Sequence, residues 1–240
     1  MADPFRYTRV LLKISGESLC QPGCGGIDAA AVAAVADELS ALAARGVQIA
    51  LVIGGGNILR GRDLTANPHV QRPTADYMGM LATVINALAL HDTLVSRGAA
   101  CHVMSAIPMV SVCDAYTIRA ASASLAAGKI VILAGGTGSP FFTTDTCAAL
   151  RASELGAEVL IKATKVDGVF DADPVKNPAA RKYSTLTYGK VLADKLGVMD
   201  LTAISLCMEN RIPILVFQLS RQGNLLAAVS GQDVGTVISE

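Results

Sequence analysis

Short, continuous runs of Val, Ile and Leu recur along this chain, with room for a helix between most of them. The runs lie at residues 10–14, 47–53, 101–104, 130–133, 159–162, 214–217 and 236–238. Parallel strands joined by crossover helices have this composition, because helices bury them on both faces. The pattern predicts an α/β fold, a three-layer sandwich in which helices cover both faces of a mainly parallel central sheet.

The segments between the runs carry helix signals. Asp28 is a suitable N-cap for a helix that ends near residue 44, before Gly46. A long helix is predicted over 76–97, with Leu81, Val84, Ile85 and Leu88 on one face, and further helices over 146–155, 188–195, 201–210 and 225–229. Residues 167–178 are rich in Asp, Pro and Asn and are predicted to form a loop.

Composition narrows the class of protein. The 240 residues are 52% hydrophobic and 17% charged, which argues against disorder and allows one domain, with approximate lobes 1–150 and 151–240 on a shared sheet. Basic and acidic residues number 20 each, so no basic excess favours a nucleic-acid partner. No apolar run reaches the roughly 20 residues that span a bilayer, and the N-terminus has no signal-peptide core. We therefore expect a cytoplasmic protein with no membrane partner.

The cysteines and histidines give no metal pattern. Six cysteines include no Cys-x-x-Cys, and the three histidines are scattered. Reduced, mostly buried thiols are expected in a cytosolic chain of this kind, rather than a zinc site or structural disulfides.

Two glycine clusters follow predicted strands. Gly54-Gly55-Gly56-Asn57 follows the run 47–53, and a stretch of small residues from Gly135 to Thr144 follows the run 130–133. Neither cluster is a P-loop or a dinucleotide fingerprint, since the required Lys or third Gly is missing. The carboxyl ends of parallel strands nevertheless form the ligand edge of a sheet, and glycine lets backbone N–H groups approach an oxyanion. The sequence predicts a site for two phosphorylated ligands.

Four charged residues lie near these clusters, and three of them allow two interpretations. Lys13 lies inside an apolar strand, where it either extends to solvent or contacts a phosphate. Arg60 follows the first cluster and is suited to a phosphate. Asp76 is better explained as an N-cap than as a ligand, and Asp145 either caps the next helix or orients Lys13.

Seven sequence blocks, in this order, resemble the bacterial uridylate kinases, which belong to the amino acid kinase family. The blocks are residues 12–17, 52–57 with Arg60-Gly61, 78–83, 104–108, 136–145, 162–170 and 198–201. The resemblance extends from about Arg9 to the C-terminus. It implies the amino acid kinase fold and transfer of the ATP γ-phosphoryl group to UMP, with Mg²⁺ as cofactor and no protein metal ligands that the sequence identifies.

The resemblance also implies roles for individual residues. Lys13, Asp145 and Arg60 would be catalytic. The residues expected to bind ATP are Lys13, Ile14, Ser15, Gly16, Gly56, Arg60, Thr164, Phe170 and Asp173. Those expected to bind UMP are Gly55, Asp76, Thr137, Gly138, Ser139, Pro140, Phe141, Phe142, Thr143 and Thr144. Lobe 1–150 would hold the acceptor and lobe 151–240 the donor.

Family members of this type are homohexamers that GTP activates and UTP inhibits, so the resemblance implies the same assembly and effectors. Residues 21–26 lack the aromatic residue that many relatives carry in a loop tied to GTP activation, which leaves the GTP response open. Two alternatives remain at this stage. One is a kinase of the same fold acting on a carboxylate such as acetylglutamate, and the other is a non-catalytic storage or regulatory protein.

Overall fold

The computed structural model describes residues 5–59, 69–174, 176–219 and 223–240. The strands are β1 (Arg9–Ile14), β2 (Gln48–Ile53), β3 (Cys101–Ser105), β4 (Asp114–Ala115), β5 (Ile130–Ala134), β6 (Val159–Thr164), β7 (Val169–Phe170), β8 (Lys182–Tyr183), β9 (Thr185–Thr187), β10 (Ile214–Gln218) and β11 (Thr236–Ser239). The α-helices are α1 (Ala29–Ala43), α2 (Arg72–Ser96), α3 (Ile118–Ala126), α4 (Thr144–Leu155), α5 (Tyr188–Ala193), α6 (Leu201–Glu209) and α7 (Asn224–Val229), and a 3₁₀ turn covers Gly16–Leu19.

Nine strands form one sheet in the order β4-β3-β5-β2-β1-β6-β10-β11-β9. Neighbouring strands are parallel except for β10 and β11, which are antiparallel. One row of residues crosses the sheet in register, and we call it the central row: Leu133, Val52, Lys13, Lys162, Val216 and Thr236. The central row brings two lysines from separate parts of the chain next to each other.

Two hydrophobic clusters cover the two faces of the sheet. On one face α1, α2 and α7 contribute apolar side chains, among them Leu39, Leu90 and Leu225. On the other face α3 to α6 contribute theirs, among them Leu125, Ala148 and Ile204. The predicted three-layer α/β sandwich with a mainly parallel sheet is confirmed.

The N-terminus of α2 differs from the prediction. The helix begins at Arg72, so Asp76 lies in its second turn, and the interpretation of Asp76 as an N-cap is wrong. Gln71 occupies the cap position without a side-chain cap bond, and Pro73, whose fixed φ suits a helix start, lies in the first turn. Along the predicted apolar face only Val84 is buried, whereas Leu81 and Ile85 are 45% and 49% exposed.

By length and composition α2 could cross a membrane, with 25 residues and a mean hydropathy of 1.4 over its most apolar window. Its side chains Ala87, Leu90 and Leu94 are instead fully buried in the cluster that covers one face of the sheet. We conclude that α2 is a core helix of a soluble fold.

A second difference concerns the predicted loop 167–178. It contains β7, which pairs with β8 as a small antiparallel hairpin separate from the main sheet. Periodicity did not reveal these strands, because two residues are too few to show an alternation. The six cysteines are free thiols, of which Cys24 is exposed and Cys20, Cys147 and Cys207 are buried.

The central strands should carry most of the stability. Leu51 is fully buried in β2, and its replacement by Ala should lower the free energy of unfolding by about 2–5 kcal/mol, because it leaves a cavity in a close-packed core. The matched control is Leu201→Ala at a side chain that is 55% exposed, which should change stability little. Urea denaturation followed by circular dichroism measures both, and equal losses in the two variants would contradict this account of the core.

Candidate active site

The candidate site lies where β1, β2, β5 and β6 end. These strands are parallel neighbours in the sheet, so their carboxyl ends meet at one edge, and both glycine clusters begin there. Gly55 must be glycine for a steric reason, since a Cβ atom would lie 2.8 Å from the carbonyl oxygen of Gly79 in α2. The close contact holds the first glycine turn against the helix.

Asp145 forms the centre of the site together with the two lysines of the central row. Lys13 Nζ lies 2.7 Å from Asp145 Oδ1, and Lys162 Nζ lies 2.6 Å from Asp145 Oδ2. The three side chains are largely buried, with exposures of 12%, 14% and 15% for Lys13, Lys162 and Asp145. The cluster concentrates a net positive charge at the strand ends, as an anionic ligand requires.

Burial and charge act against each other at these groups. Burial, the largest single effect, raises the pKa of Asp145, but the ammonium groups of Lys13 and Lys162 together lower it below the ordinary value. Burial lowers the pKa of Lys162, Asp145 opposes this shift, and Lys13 adds to it. Asp145 is therefore an anion at neutral pH and serves to hold the two lysines close together.

The start of α4 fixes Asp145 in place. Thr143 caps the helix by accepting from the N–H groups of Asp145 and Thr146, which settles the earlier ambiguity, since Thr143 and not Asp145 is the cap. Asp200 in turn accepts from the hydroxyls of Thr143, at 2.5 Å, and Thr146, at 2.8 Å. The carbonyl of Val198, two residues earlier, accepts from Lys162. One short segment before α6 thus holds both the helix start and the second lysine.

A buried pair of amides supports the first glycine turn. Asn57 and Asn86 exchange hydrogen bonds of 3.0 and 2.7 Å between their side chains. Asn57 also donates to the carbonyl of Gly26, and Asn86 donates to the carbonyl of Gly54. The pair fixes the turn relative to α2 and to the loop 21–26.

Asp76 and Phe141 meet on the other side of the site. Phe141 has a φ of 73°, an uncommon conformation for an aromatic residue, and its N–H donates to Asp76 Oδ2 at 2.8 Å. Arg72 forms an ion pair with Asp76 at 2.9 Å, and its guanidinium lies 5.7 Å from the centre of the Phe141 ring. Strained residues of this kind cluster at functional sites, where the surrounding contacts hold them.

Two cavities open beside the cluster. The smaller, of about 170 Å³, is lined by Gly55, Ala75, Asp76, Gly79, Met80, Thr83, Gly136, Phe142, Thr143 and Thr144. The larger, of about 640 Å³, is lined by residues that include Lys162, Thr164, Phe170, Asp173 and Val198. The lysine–aspartate cluster borders both cavities, because Lys162 lines the larger and Thr144, next to Asp145, lines the smaller.

The structure brings most of the predicted site residues to this edge. Gly55, Asp76, Phe142, Thr143 and Thr144 line the smaller cavity, while Thr164, Phe170 and Asp173 line the larger. Residues Thr137 to Phe141 form the turn between β5 and α4, and Ile14, Ser15 and Gly16 follow Lys13 at the end of β1. Gly56 lies in the turn after β2. Arg60 lies outside the described residues.

Sequence reasoning did not single out Lys162 or Asp200. Lys162 carries the same signal that identified Lys13, a lysine inside an apolar strand, so the argument applied to one lysine applied equally to the other. Asp200 has the signature of an ordinary N-cap, and it does cap α6 through Ala203 N–H. Its bonds to Thr143 and Thr146 depend on a long-range contact that local sequence does not show.

Replacing Asp145 by Asn tests the electrostatic account of the cluster. The variant should lose roughly 3–5 kcal/mol of stability at pH 7, since two buried ammonium groups lose their counter-ion. The pKa of Asp145 is lowered in the folded state, so its stabilisation is present above the ordinary carboxyl pKa and is lost as the pH falls through the lowered value. The difference between the wild-type protein and the variant should therefore shrink below about pH 4.

Urea denaturation at a series of pH values measures this difference. The control is Asp233→Asn at an exposed carboxylate, which should change stability little. A constant deficit for Asp145→Asn from neutral to acid pH would contradict the assignment.

Comparison with known proteins agrees with the geometry. The sequence pattern of the amino acid kinase family matches residues 8–218. A uridylate kinase from Zymomonas mobilis is 51% identical over 233 residues, which cover 97% of this chain and 96% of that protein.

Solved structures give the same result for the fold. The UMP kinase from Bacillus anthracis has a TM-score of 0.94 at 36% identity and covers 97% of this chain and 96% of its own. The UMP kinase from Ureaplasma parvum has a TM-score of 0.92 at 34% identity and covers 98% and 100%. With the glycine turns and the lysine–aspartate cluster in these positions, the chain belongs to the amino acid kinase family, in its uridylate kinase branch.

Proposed function

We propose that this enzyme transfers the γ-phosphoryl group of ATP to UMP, giving ADP and UDP in pyrimidine nucleotide biosynthesis. One observation carries the proposal. Two cavities, one lined only by residues up to Thr144 and the other only by residues from Lys162 onward, each reach the Lys13–Asp145–Lys162 cluster, the first through Thr144 next to Asp145 and the second through Lys162. A phosphotransferase needs such an arrangement, with donor and acceptor phosphates meeting at a positive centre. It also supports a single domain with an acceptor lobe over 1–150 and a donor lobe over 151–240.

The smaller cavity is the proposed UMP site. Gly55 and Asp76 line it together with Gly136 and residues 142–144. Asp76 is proposed to bind the ribose, and the segment 137–144 is proposed to surround the nucleotide. The N-terminus of α4 is proposed to favour the UMP phosphate, because a helix N-terminus carries a partial positive charge. Phe141 and Phe142, which are 65% and 51% exposed, offer apolar surface for the nucleoside.

The larger cavity is the proposed ATP site. Thr164, Phe170 and Asp173 line it and are proposed to bind the adenosine. Lys13 with residues 14–16 is proposed to contact the ATP phosphates, together with Gly56 and Arg60. Of these, Arg60 rests on the sequence alone.

The proposed chemistry is mainly electrostatic. The UMP phosphate oxygen attacks the γ-phosphorus, and the bond from that phosphorus to the bridging oxygen of ADP breaks. Lys13 and Lys162 stabilise the negative charge on the transferring group, and Asp145 keeps both ammonium groups in position. The acceptor phosphate is already an anion, so the reaction requires no general base.

Mg²⁺ is proposed to bind with ATP. Among the described residues no group of three or more His, Cys, Asp and Glu side chains is placed to hold a metal ion, and Asp145 is already paired with two lysines. The side chains of the described residues are therefore compatible with a cation that is bound chiefly through nucleotide phosphates and water. When bound, it neutralises phosphate charge.

The acceptor preference separates this proposal from a carboxylate kinase and from a storage protein. With ATP and Mg²⁺, ADP should form rapidly with UMP and much more slowly with dUMP, which lacks the ribose 2′-hydroxyl that Asp76 is proposed to bind, or with acetylglutamate, which is not a nucleotide. A coupled assay measures each acceptor with and without GTP and UTP, which also tests the effector response of the chain with its altered 21–26 loop. Turnover with acetylglutamate, or none with UMP, would contradict the proposal.

Lys13→Ala should reduce kcat by about a hundredfold or more, because it removes a charge aimed at the transferring group. The control Lys129→Ala, at an exposed lysine before β5, should retain full activity. Thermal melting confirms that both variants are folded. Unchanged turnover in Lys13→Ala would exclude the role proposed for this lysine.

We also propose a cytoplasmic homohexamer. An exposed apolar stripe of Tyr77, Met78, Leu81 and Ile85 runs along α2, and a stripe of this kind is typical of a contact between protein chains.

Zero net charge and the absence of a basic excess argue against a nucleic-acid partner.

Replacing both Leu81 and Ile85 by Glu should break the assembly into smaller species, because burying unpaired carboxylates is costly. Light scattering coupled to size-exclusion chromatography measures the mass. Leu201→Glu, at an apolar side chain of similar exposure away from α2, serves as control and should leave the mass unchanged. If the double variant keeps the wild-type mass, the proposal that α2 lies in the interface is wrong.

A further inference from the structure

The β7–β8 hairpin does not belong to the main sheet, and its strand β7 forms part of the wall of the larger cavity. It has only two residue pairs, Val169 with Tyr183 and Phe170 with Lys182. Its ion pair between Lys182 and Asp167 is exposed and stabilises little. A two-stranded hairpin of this size is marginal in water, so contacts with the rest of the protein must hold it.

Thr236 provides such a contact. Its side chain is fully buried at the start of β11. The hydroxyl accepts from Val169 N–H at 2.8 Å and donates to the carbonyl of Tyr183 at 2.5 Å. A single hydroxyl therefore bonds the backbone of both hairpin strands at their first residue pair.

Thr236 also belongs to the central row. It pairs with Val216, which pairs with Lys162, which pairs with Lys13. The distance between hairpin and lysines is thus set by strand register across the sheet. The hydrogen bonds of Thr236 therefore fix the position of β7, in the wall of the larger cavity, relative to Lys13 and Lys162.

Gly168 shows how closely the hairpin approaches Thr236. Its φ is 121°, and a Cβ atom there would lie 2.6 Å from Thr236 Oγ1. Both the backbone conformation and the contact distance require glycine. No larger residue fits at this point without moving the hairpin away from β11.

From these contacts we propose that Thr236 is a positioning residue for the donor nucleotide, whose hydroxyl holds the β7–β8 hairpin at the spacing that ATP needs from Lys13 and Lys162. Thr236 acts through the hairpin backbone and Phe170. The inference rests on the proposed function, because it concerns the ATP side of that site.

Thr236→Val is the principal test, since Val keeps the shape and removes the hydroxyl. KM for ATP should rise by about five- to tenfold, because the loss of one hydrogen bond between neutral groups typically has an effect of this size. The kcat and the KM for UMP should stay within about twofold, because binding of the donor and not the transition state is affected. Thr236→Ser restores the hydroxyl and should restore KM for ATP, and Thr185→Val, at an exposed threonine of β9, should behave like the wild type.

Hydrogen exchange gives a readout independent of activity. In Thr236→Val the amide of Val169 loses its acceptor and should exchange faster, while amides of β1 and β6 should not change. Calorimetric titration with a non-hydrolysable ATP analogue and Mg²⁺ should show a weaker affinity in the same variant. This titration decides on Thr236 even if the wild-type enzyme fails to phosphorylate UMP, a result that would defeat only the proposed function.

Wild-type KM for ATP together with wild-type exchange at Val169 in Thr236→Val would overturn the inference, as would failure of Thr236→Ser to restore ATP binding. If Thr236→Val does not fold, Gly168→Ala decides, because it pushes the hairpin away from an intact Thr236. A raised KM for ATP with unchanged KM for UMP in that variant supports the role, and unchanged values for both substrates overturn it.

Discussion

The ion pairs of Asp145 with Lys13 and Lys162 are the interaction on which the site depends. Two lysines on neighbouring strands of an apolar sheet would repel each other and would be costly to bury alone. The carboxylate between them offsets part of that cost and leaves a net positive charge on the cluster at the strand ends. The same contact joins α4 to β1 and β6, so helix packing and phosphate recognition share one set of bonds.

The remaining polar bonds of the site support this cluster from both sides. Asp200 holds the start of α4, and Val198 holds Lys162. The Asn57–Asn86 pair holds the glycine turn on the acceptor side, and Thr236 holds the hairpin on the donor side. Glycine turns are conformationally free in isolation, so their order here comes from buried side chains on neighbouring elements.

Local sequence predicted the fold well wherever an element was long and apolar. The buried runs gave all the central strands, and Asp28 proved to be the cap of α1. The prediction failed where local signals were weak or shared. Helix α2 begins at Arg72, before the predicted start at residue 76, because a first turn with Pro and polar residues has no apolar periodicity. The β7–β8 hairpin was too short to detect.

The sequence by itself determined the layered α/β fold, the ligand edge of the sheet and the identity of the residues that resemble a uridylate kinase. Strand composition, glycine and charge are local properties, so they can be recognised without a structure. Only the tertiary structure decided which groups meet. Lys162 lies beside Lys13, Asp200 accepts a hydrogen bond from Thr143, and Thr236 bonds the backbones of β7 and β8. These contacts form because strand register and helix packing join residues that are far apart in the chain.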